Sequence, residues 1–228
     1  MEKILIIEDD EDIRDILKLY LEGQSYEIFE AENGIEATKQ LVKQPDLVIL
    51  DLMLPDIDGL SICKNIRKKY YYPIIMITAK NADQDKILGL SYGADDYITK
   101  PFNPLEVVAR VKAQLRRYKQ YDENITDTES IYYKALTLNQ KSKQVSINEK
   151  EIKLTPTEFK ILEVLLKRKG EVLSGEELFN LIWEDEYYSK STNTITVHVR
   201  NLREKMGDSF EKPEYIKTVW GVGYIIEA

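Results

Sequence analysis

The sequence predicts an α/β doubly wound domain with a five-stranded parallel sheet, followed by an α+β domain of winged helix-turn-helix type. Three observations carry that prediction. Five short β-branched runs alternate with amphipathic helical stretches over the first half. A polar, acidic break follows near residue 120. Three short alternating segments, three helical stretches and a glycine-containing terminal hairpin then complete the chain.

The strand-like runs are Lys3 to Ile7, Tyr26 to Ala31, Asp46 to Leu50, Pro73 to Ala79 and Asp96 to Thr99. Runs such as Leu47-Val48-Ile49-Leu50 and Ile74-Ile75-Met76-Ile77 are continuously apolar, as strands covered on both faces are. Between the runs, Asp12 to Glu22, Ile35 to Lys43, Leu60 to Lys69, Ala82 to Leu90 and Pro104 to Tyr118 place apolar residues at helical spacing. The helical pattern stops near Tyr118 to Tyr121, and Asp122 to Ser130 has the composition of a linker. The expected domains are therefore 1–119 and 132–228, joined by a linker at 120–131. Beyond it come alternating segments at Tyr132 to Leu138, Gln144 to Ile147 and Glu151 to Leu154. Helical stretches follow at Thr157 to Lys169, Ser174 to Trp183 and Thr194 to Met206, then a hairpin from Tyr215 to Glu227 around Gly221-Val222-Gly223.

The 228 residues suffice for two cores, and no apolar run reaches the roughly 18 residues a membrane span needs. Without a signal-peptide pattern, a cytoplasmic protein is expected. The single cysteine, Cys63, excludes an internal disulfide and reads as a buried filler. Net charge is −8, with 17 basic and 21 acidic residues in 1–120, four acidic and no basic in 121–129, and 15 of each in 130–228. Bulk charge gives nucleic-acid binding no support, so any such role rests on where the bases stand.

Glu8-Asp9-Asp10, Asp51, Thr78-Ala79-Lys80 and Lys100-Pro101 each end an apolar run. In a parallel sheet those ends share one rim, where ligand sites of open α/β sheets form. Carboxylates this close resist ionising together unless a cation sits among them, which points to a hard divalent ion, Mg²⁺. Asp51 is the candidate nucleophile for a phosphoryl group. Glu8 and Asp9 would hold the ion with the Met53 carbonyl as a further ligand, Lys100 would pair with phosphoryl oxygens, and Thr78 would donate to one of them. The plainer alternative is that Asp9, Asp10 and Asp12 cap the first helix and Lys100 is solvated.

Ile4 to Asp10, Asp51 to Pro55 with Gly59, Thr78-Ala79 and Gly93 to Phe102 closely resemble the response-regulator receiver family over residues 1 to about 119. The resemblance implies phosphorylation of Asp51 by a partner sensor histidine kinase, Mg²⁺ at Glu8 and Asp9, and a switch formed by Thr78 and Tyr97. An aspartyl-phosphate hydrolase would instead carry a second Asp two residues after the nucleophile, where this chain has Met53.

Leu154 to Phe159, Thr194 to Lys205 and Thr218 to Tyr224 resemble the DNA-binding domain of the OmpR/PhoB subfamily. Lys190 to Met206 holds four basic residues and one acidic, so positive charge gathers on the candidate recognition helix. Thr194, Thr196, Arg200, Asn201, Arg203, Thr218 and Trp220 are the expected contacts to double-stranded promoter DNA. Trp220 stands where many relatives have a basic residue, and packing beneath the wing is the favoured expectation for it. His198, the lone histidine, reads as packed.

Lys86, Asp95, Asp96, Glu106, Arg110 and Arg117 around Ile87, Leu90 and Ala109 form a candidate two-fold interface. The resemblance implies a homodimer on phosphorylation, pairing Lys86 with Glu106, Asp96 with Arg110 and Asp95 with Arg117. A solvated charged face is the alternative. RNA polymerase is a further expected partner. Over Tyr72 to Lys80, Gly93 to Phe102 and Val107 to Tyr118 the chain looks most like the VanR type, regulators of glycopeptide-resistance genes.

Overall fold

Five of the β-branched runs fold as strands β1 (Lys3–Ile7), β2 (Glu27–Ala31), β3 (Leu47–Asp51), β4 (Ile74–Ala79) and β5 (Asp96–Lys100). They lie in the order β2-β1-β3-β4-β5, every pair parallel. Alternate residues point to opposite faces, and both faces are covered. Ile4, Ile6, Leu47, Ile49, Ile75 and Ile77 share one core with Leu17 and Leu21 of α1 (Glu11–Glu22) and Val107, Val111 and Leu115 of α4 (Pro104–Lys119). Leu5, Ile7, Val48 and Leu50 are equally buried on the other face, the side left for α2 (Gly34–Gln40) and α3 (Gly59–Arg67). The computed structural model describes residues 1–79, 89–119, 130–183 and 192–228. The expected helix Ala82 to Leu90 lies outside them apart from Gly89 and Leu90.

Strand order reverses at β1 and β3, so the chain leaves their C-terminal ends toward opposite faces and a crevice opens there. The loop after β3 is fastened at both ends. Asp56 accepts hydrogen bonds from the N–H groups of Gly34 at 2.9 Å and Ile35 at 3.0 Å, tying the loop to the start of α2. Gly59 donates to the Leu52 carbonyl at 3.2 Å, an approach so close that a Cβ there would overlap the Asp51 carbonyl oxygen and lie 2.7 Å from Leu52 Cα.

The chain forms two compact units, Met1–Tyr118 and Lys119–Ala228. The second opens with an antiparallel sheet in the order β6-β7-β8-β9, namely Ser130–Tyr133, Leu136–Asn139, Val145–Ile147 and Lys150–Ile152. The segment expected as one run from Tyr132 to Leu138 is thus two strands. Lys134, at φ 52°, turns the chain between them, which alternation alone does not reveal. Strand β6 also begins at Ser130, inside the expected linker.

Helices α5 (Pro156–Lys167), α6 (Gly175–Trp183) and α7 (Thr192–Met206) and the hairpin β10 (Lys217–Val219) and β11 (Gly223–Ile225) complete the unit. A capping box starts α5: the Thr155 side chain accepts from Glu158 N–H at 3.3 Å, and Glu158 Oε2 accepts from Thr155 N–H at 2.8 Å. Phe159, Leu162, Trp183, Ile195, Val199 and Leu202 anchor one core joining the three helices. Backbone bonds between Leu173 and Tyr224, at 2.9 and 2.8 Å, fix the hairpin to the chain entering α6.

Gly59→Ala is expected to destabilise the first unit by roughly 1–3 kcal/mol, because backbone rather than a flexible side chain must yield. Urea denaturation followed by circular dichroism measures it, and an unchanged midpoint would contradict the packing described.

Candidate functional site

Parallel registration brings the rim residues together. Asp51 pairs with Ile77, and Lys100 with Ala79, so the ends of β3, β4 and β5 line up beside Glu8, which follows β1. Lys100 Nζ lies 2.8 Å from Glu8 Oε1 and 2.7 Å from Asp51 Oδ2. Met53 N–H donates to Asp51 Oδ1 at 3.1 Å. Glu8, Asp51 and Thr78 are buried, whereas Asp9 and the Met53 side chain are exposed. The peptide bond after Lys100 is cis. Asp10 caps α1 by accepting from Ile13 N–H at 3.1 Å, so the plainer expectation holds for Asp10. It fails for Lys100, whose ammonium points into the acidic rim.

Burial pushes the Glu8 carboxyl up to about 7, helped by the neighbouring Asp51 charge and opposed by Lys100. Burial pulls the Lys100 ammonium down, but its hydrogen bonds to Asp51 and Glu8 prevail and its pKa is raised. One ammonium thus serves two buried carboxyls. Oxygens of Glu8, Asp9 and Asp51 lie within 4.8 Å of one another, and Glu8 Oε2 is buried without a hydrogen-bond partner among the described residues. That donor set, all oxygen and mostly anionic, fits a hard divalent cation. Sequence reasoning missed Asp56, which fastens the loop carrying Met53; backbone N–H groups, Gly34 foremost, hold its carboxyl below the usual range. An Asp flanked by Pro55 and Asp58-Gly59 reads only as a turn residue.

The face expected to dimerise is differently built. Asp95 is fully buried and bonded to Arg67 Nη2 at 2.6 Å and to Ile74 N–H at 3.0 Å. Leu90 is also core, at 2% exposure. Neither stands on an open surface, because a carboxylate at the buried start of β5 requires a partner within the subunit and Arg67 reaches it from α3. Asp96 and Arg110 meet within one subunit at 3.1 and 3.2 Å, and Arg110 also holds Glu106 at 2.7 Å. Arg117 is buried and Ala109 half-buried. Lys86 and Ile87 lie outside the described residues.

In the second unit α7 turns Ile195, Val199, Leu202 and Met206 into the core. Thr194, Asn201 and Arg203 are buried too, so these three expected DNA contacts face the protein interior. Thr196 and Arg200 are exposed. Arg203 is a clamp: it donates to the Ile216 carbonyl at 2.6 Å and to Thr218 Oγ1 at 2.9 Å, joining α7 to the hairpin. Asp208 accepts from the N–H groups of Glu214 at 2.6 Å and Ile216 at 2.8 Å. On the other flank Lys205 pairs with the buried Glu158 at 2.6 Å. Asp208, Glu158 and Lys205 were missed, since their roles depend on partners far along the chain. Trp220 is 77% exposed, against the expectation that it packs beneath the wing. A cleft of about 450 Å³ between α7 and the hairpin is lined by Thr196, Arg200, Arg203, Phe210, Trp220 and Tyr224. His198 packs as expected, 6.2 Å from the Trp183 ring, and Cys63 is core with its thiol pushed up to about 12 by burial.

Comparison with known proteins agrees with this construction. Residues 4–112 match the response regulator receiver domain, and residues 149–226 match the transcriptional regulatory protein C-terminal domain. The chain is 54% identical over 228 residues to the regulatory protein VanR of Enterococcus faecium, covering 99% of each. It is 47% identical over 229 residues to the regulatory protein VanRc of Enterococcus gallinarum, again covering 99% of each. Among solved structures it resembles the response regulator DrrB, an OmpR/PhoB homologue of Thermotoga maritima, with 30% identity, full coverage of both chains and a TM-score of 0.53. The chain belongs to the DNA-binding response regulators of OmpR/PhoB type. Among the described residues no helix is long and apolar enough to cross a membrane.

Two outcomes follow from these contacts. Because folding raises the Glu8 pKa from 4.5 to about 7, the native state holds a proton the unfolded chain has released. Metal-free stability should therefore be full below pH 4.5 and fall as pH rises toward 7. Urea titrations across that window should show the loss in the parent and not in Glu8→Gln. Arg203→Ala should destabilise the second unit by about 1.5–3 kcal/mol, the range for hydrogen bonds from a charged donor. Thermal melting of the variant tests this, and a parent-like melt would return Arg203 to the DNA-contacting surface.

Proposed function

We propose that Asp51 receives a phosphoryl group from a sensor histidine kinase, and that the resulting acyl phosphate drives dimerisation and transcription control from promoter DNA. The convergence of Glu8, Asp51 and Lys100 carries this reading. An Asp51 oxygen attacks phosphorus as the P–N bond of the donor phosphohistidine breaks and its electron pair returns to the imidazole. Lys100 then pairs with a phosphoryl oxygen, exchanging one of its two carboxylates for the new anion, and the Thr78 hydroxyl donates to another. Glu8, Asp9 and Asp51, with the Met53 carbonyl, would hold Mg²⁺, which when bound neutralises charge on the transferred group. Movement of Thr78 biases the half-buried Tyr97, a two-state element that relays occupancy to the β5–α4 face.

Phosphorylation-driven dimerisation would use Lys86 with Glu106 and Asp96 with Arg110 across the two-fold axis, while Asp95, buried against Arg67, stays within its own subunit. Asp95, Asp96, Glu106 and Arg110 already bond within the subunit, so association exchanges ion pairs and its affinity should be modest. DNA would be engaged by Thr196 and Arg200 of α7 and by the hairpin, with Thr194, Asn201, Arg203 and Thr218 holding them in place. Two tethered units on repeated half-sites raise occupancy through avidity. Resemblance to the regulatory proteins VanR and VanRc supports glycopeptide-resistance genes as the regulon, and a cytoplasmic setting with contact to RNA polymerase completes the proposal.

Positions two beyond Asp51 and two beyond Thr78 hold Met53 and Lys80, neither able to orient a hydrolytic water. The acyl phosphate should therefore decay slowly, and catalysis by the chain itself should be limited to slow self-phosphorylation and self-dephosphorylation. Acetyl phosphate with Mg²⁺ should label the parent but not Asp51→Asn, and label on the purified parent should outlast minutes. Equal labelling of the variant removes the site, and decay in seconds removes the Met53 and Lys80 account. Arg110→Glu should stay monomeric in sedimentation after acetyl phosphate treatment.

A further inference from the structure

The hairpin of residues 217–225 carries one cation, Lys217, and Glu227 engages it at 2.6 Å. Its charge is thus largely offset, and the hairpin has little with which to attract phosphate. What it presents instead is apolar. Trp220 is 77% exposed and Val222 55%. Beside them Phe210, 65% exposed, meets Trp220 edge-on with ring centroids 6.1 Å apart.

This apolar tip is held rigidly. Arg203 fixes β10 through Ile216 and Thr218, and its guanidinium lies 5.6 Å from the Phe210 ring and 5.9 Å from the Tyr224 ring. Strand β11 is fixed by the Leu173–Tyr224 bridge, where a Cβ on Gly223 would lie 2.7 Å from Ser174 Cα. The Tyr224 hydroxyl donates to Thr196 Oγ1 at 3.3 Å. The hairpin is thereby locked to α7 at a set offset, and Trp220 lines the same cleft as Thr196 and Arg200. The exposed aromatic surface is continuous with the DNA-contacting face.

We propose that Trp220 is an apolar wedge. With α7 in the major groove, the hairpin tip enters the adjoining minor groove and Trp220 packs into a flexible pyrimidine–purine step. It contributes a part of the affinity that salt does not screen, and a sequence preference at a step that no hydrogen bond reads. This rests on the assignment of Thr196 and Arg200 to DNA. The other candidate occupant, a second copy of the chain on a neighbouring half-site, is separated by the test.

The full chain, treated with acetyl phosphate and Mg²⁺, is used to recover duplexes from a random library. Binding is then measured by fluorescence anisotropy across a salt series, on a duplex with one copy of the recovered repeat and on one with two. Trp220→Ala should weaken binding to the single-repeat duplex about tenfold, within the range for loss of one aromatic–base stack. Its slope of log affinity against log salt should match the parent's, whereas Trp220→Arg should steepen that slope by about one. Replacing pyrimidine–purine steps of the repeat by A-tract steps should weaken the parent and leave Trp220→Ala unaffected. Because the residue is exposed, thermal melts of both variants should match the parent. Single-repeat binding of Trp220→Ala indistinguishable from the parent's overturns the wedge. So does a loss confined to the two-repeat duplex, which assigns Trp220 to a neighbouring copy. If Arg200→Ala binds like the parent, the α7 assignment falls and the wedge with it, whereas loss in Arg200→Ala with none in Trp220→Ala overturns the wedge alone.

Discussion

The first unit is organised around one ammonium group shared by two buried carboxyls. Lys100 reaches across the rim to Glu8 and Asp51, and neither carboxylate would be tolerable there without it. Burial, and next to it the Asp51 charge, keep the Glu8 carboxyl raised despite Lys100. A donor set of this kind fits a hard divalent cation. The chemistry depends on the parallel sheet, because only the β2-β1-β3-β4-β5 order sets the ends of β1 and β3 side by side at a reversal. It depends equally on the loop after Asp51, tied to α2 by Asp56 and pressed against the backbone at Gly59.

Ion pairs serve a different purpose on the opposite flank of the sheet. Arg67 spans the Gly93 and Tyr72 carbonyls and the Asp95 carboxylate, closing the edge where β4 and β5 begin. Arg110 gathers Asp96 and Glu106. Asp95, Asp96, Glu106 and Arg110 are thus already paired within one subunit, so any association that used them would exchange partners with a small net change.

The second unit resolves an apparent conflict between a neutral composition and DNA binding. Its charges are sorted by burial. Glu158, Glu163 and Asp208 are inside, each engaged by a lysine or by backbone N–H groups, while Arg200 and Thr196 remain outside. Helix α7 is held by Lys205 on one flank and Arg203 on the other, and Arg203 ties it to the hairpin.

Local sequence determined the strands, most helices, the two-unit organisation and the residues of the acidic rim. Continuous apolar runs, helical periodicity and carboxylates at strand ends are all signals within a few residues of one another. The tertiary structure alone decided which of several polar side chains on one element faces outward. Thr194, Asn201 and Arg203 are chemically suited to DNA, yet they turn inward because Ile195, Val199 and Leu202 set the rotation of α7. Asp95 looks like a surface acid until Arg67, 28 residues away, claims it. Trp220 looks like a core residue until the short hairpin leaves its ring in solvent. What decides each case is the packing of whole elements against one another, which composition, spacing and periodicity do not carry.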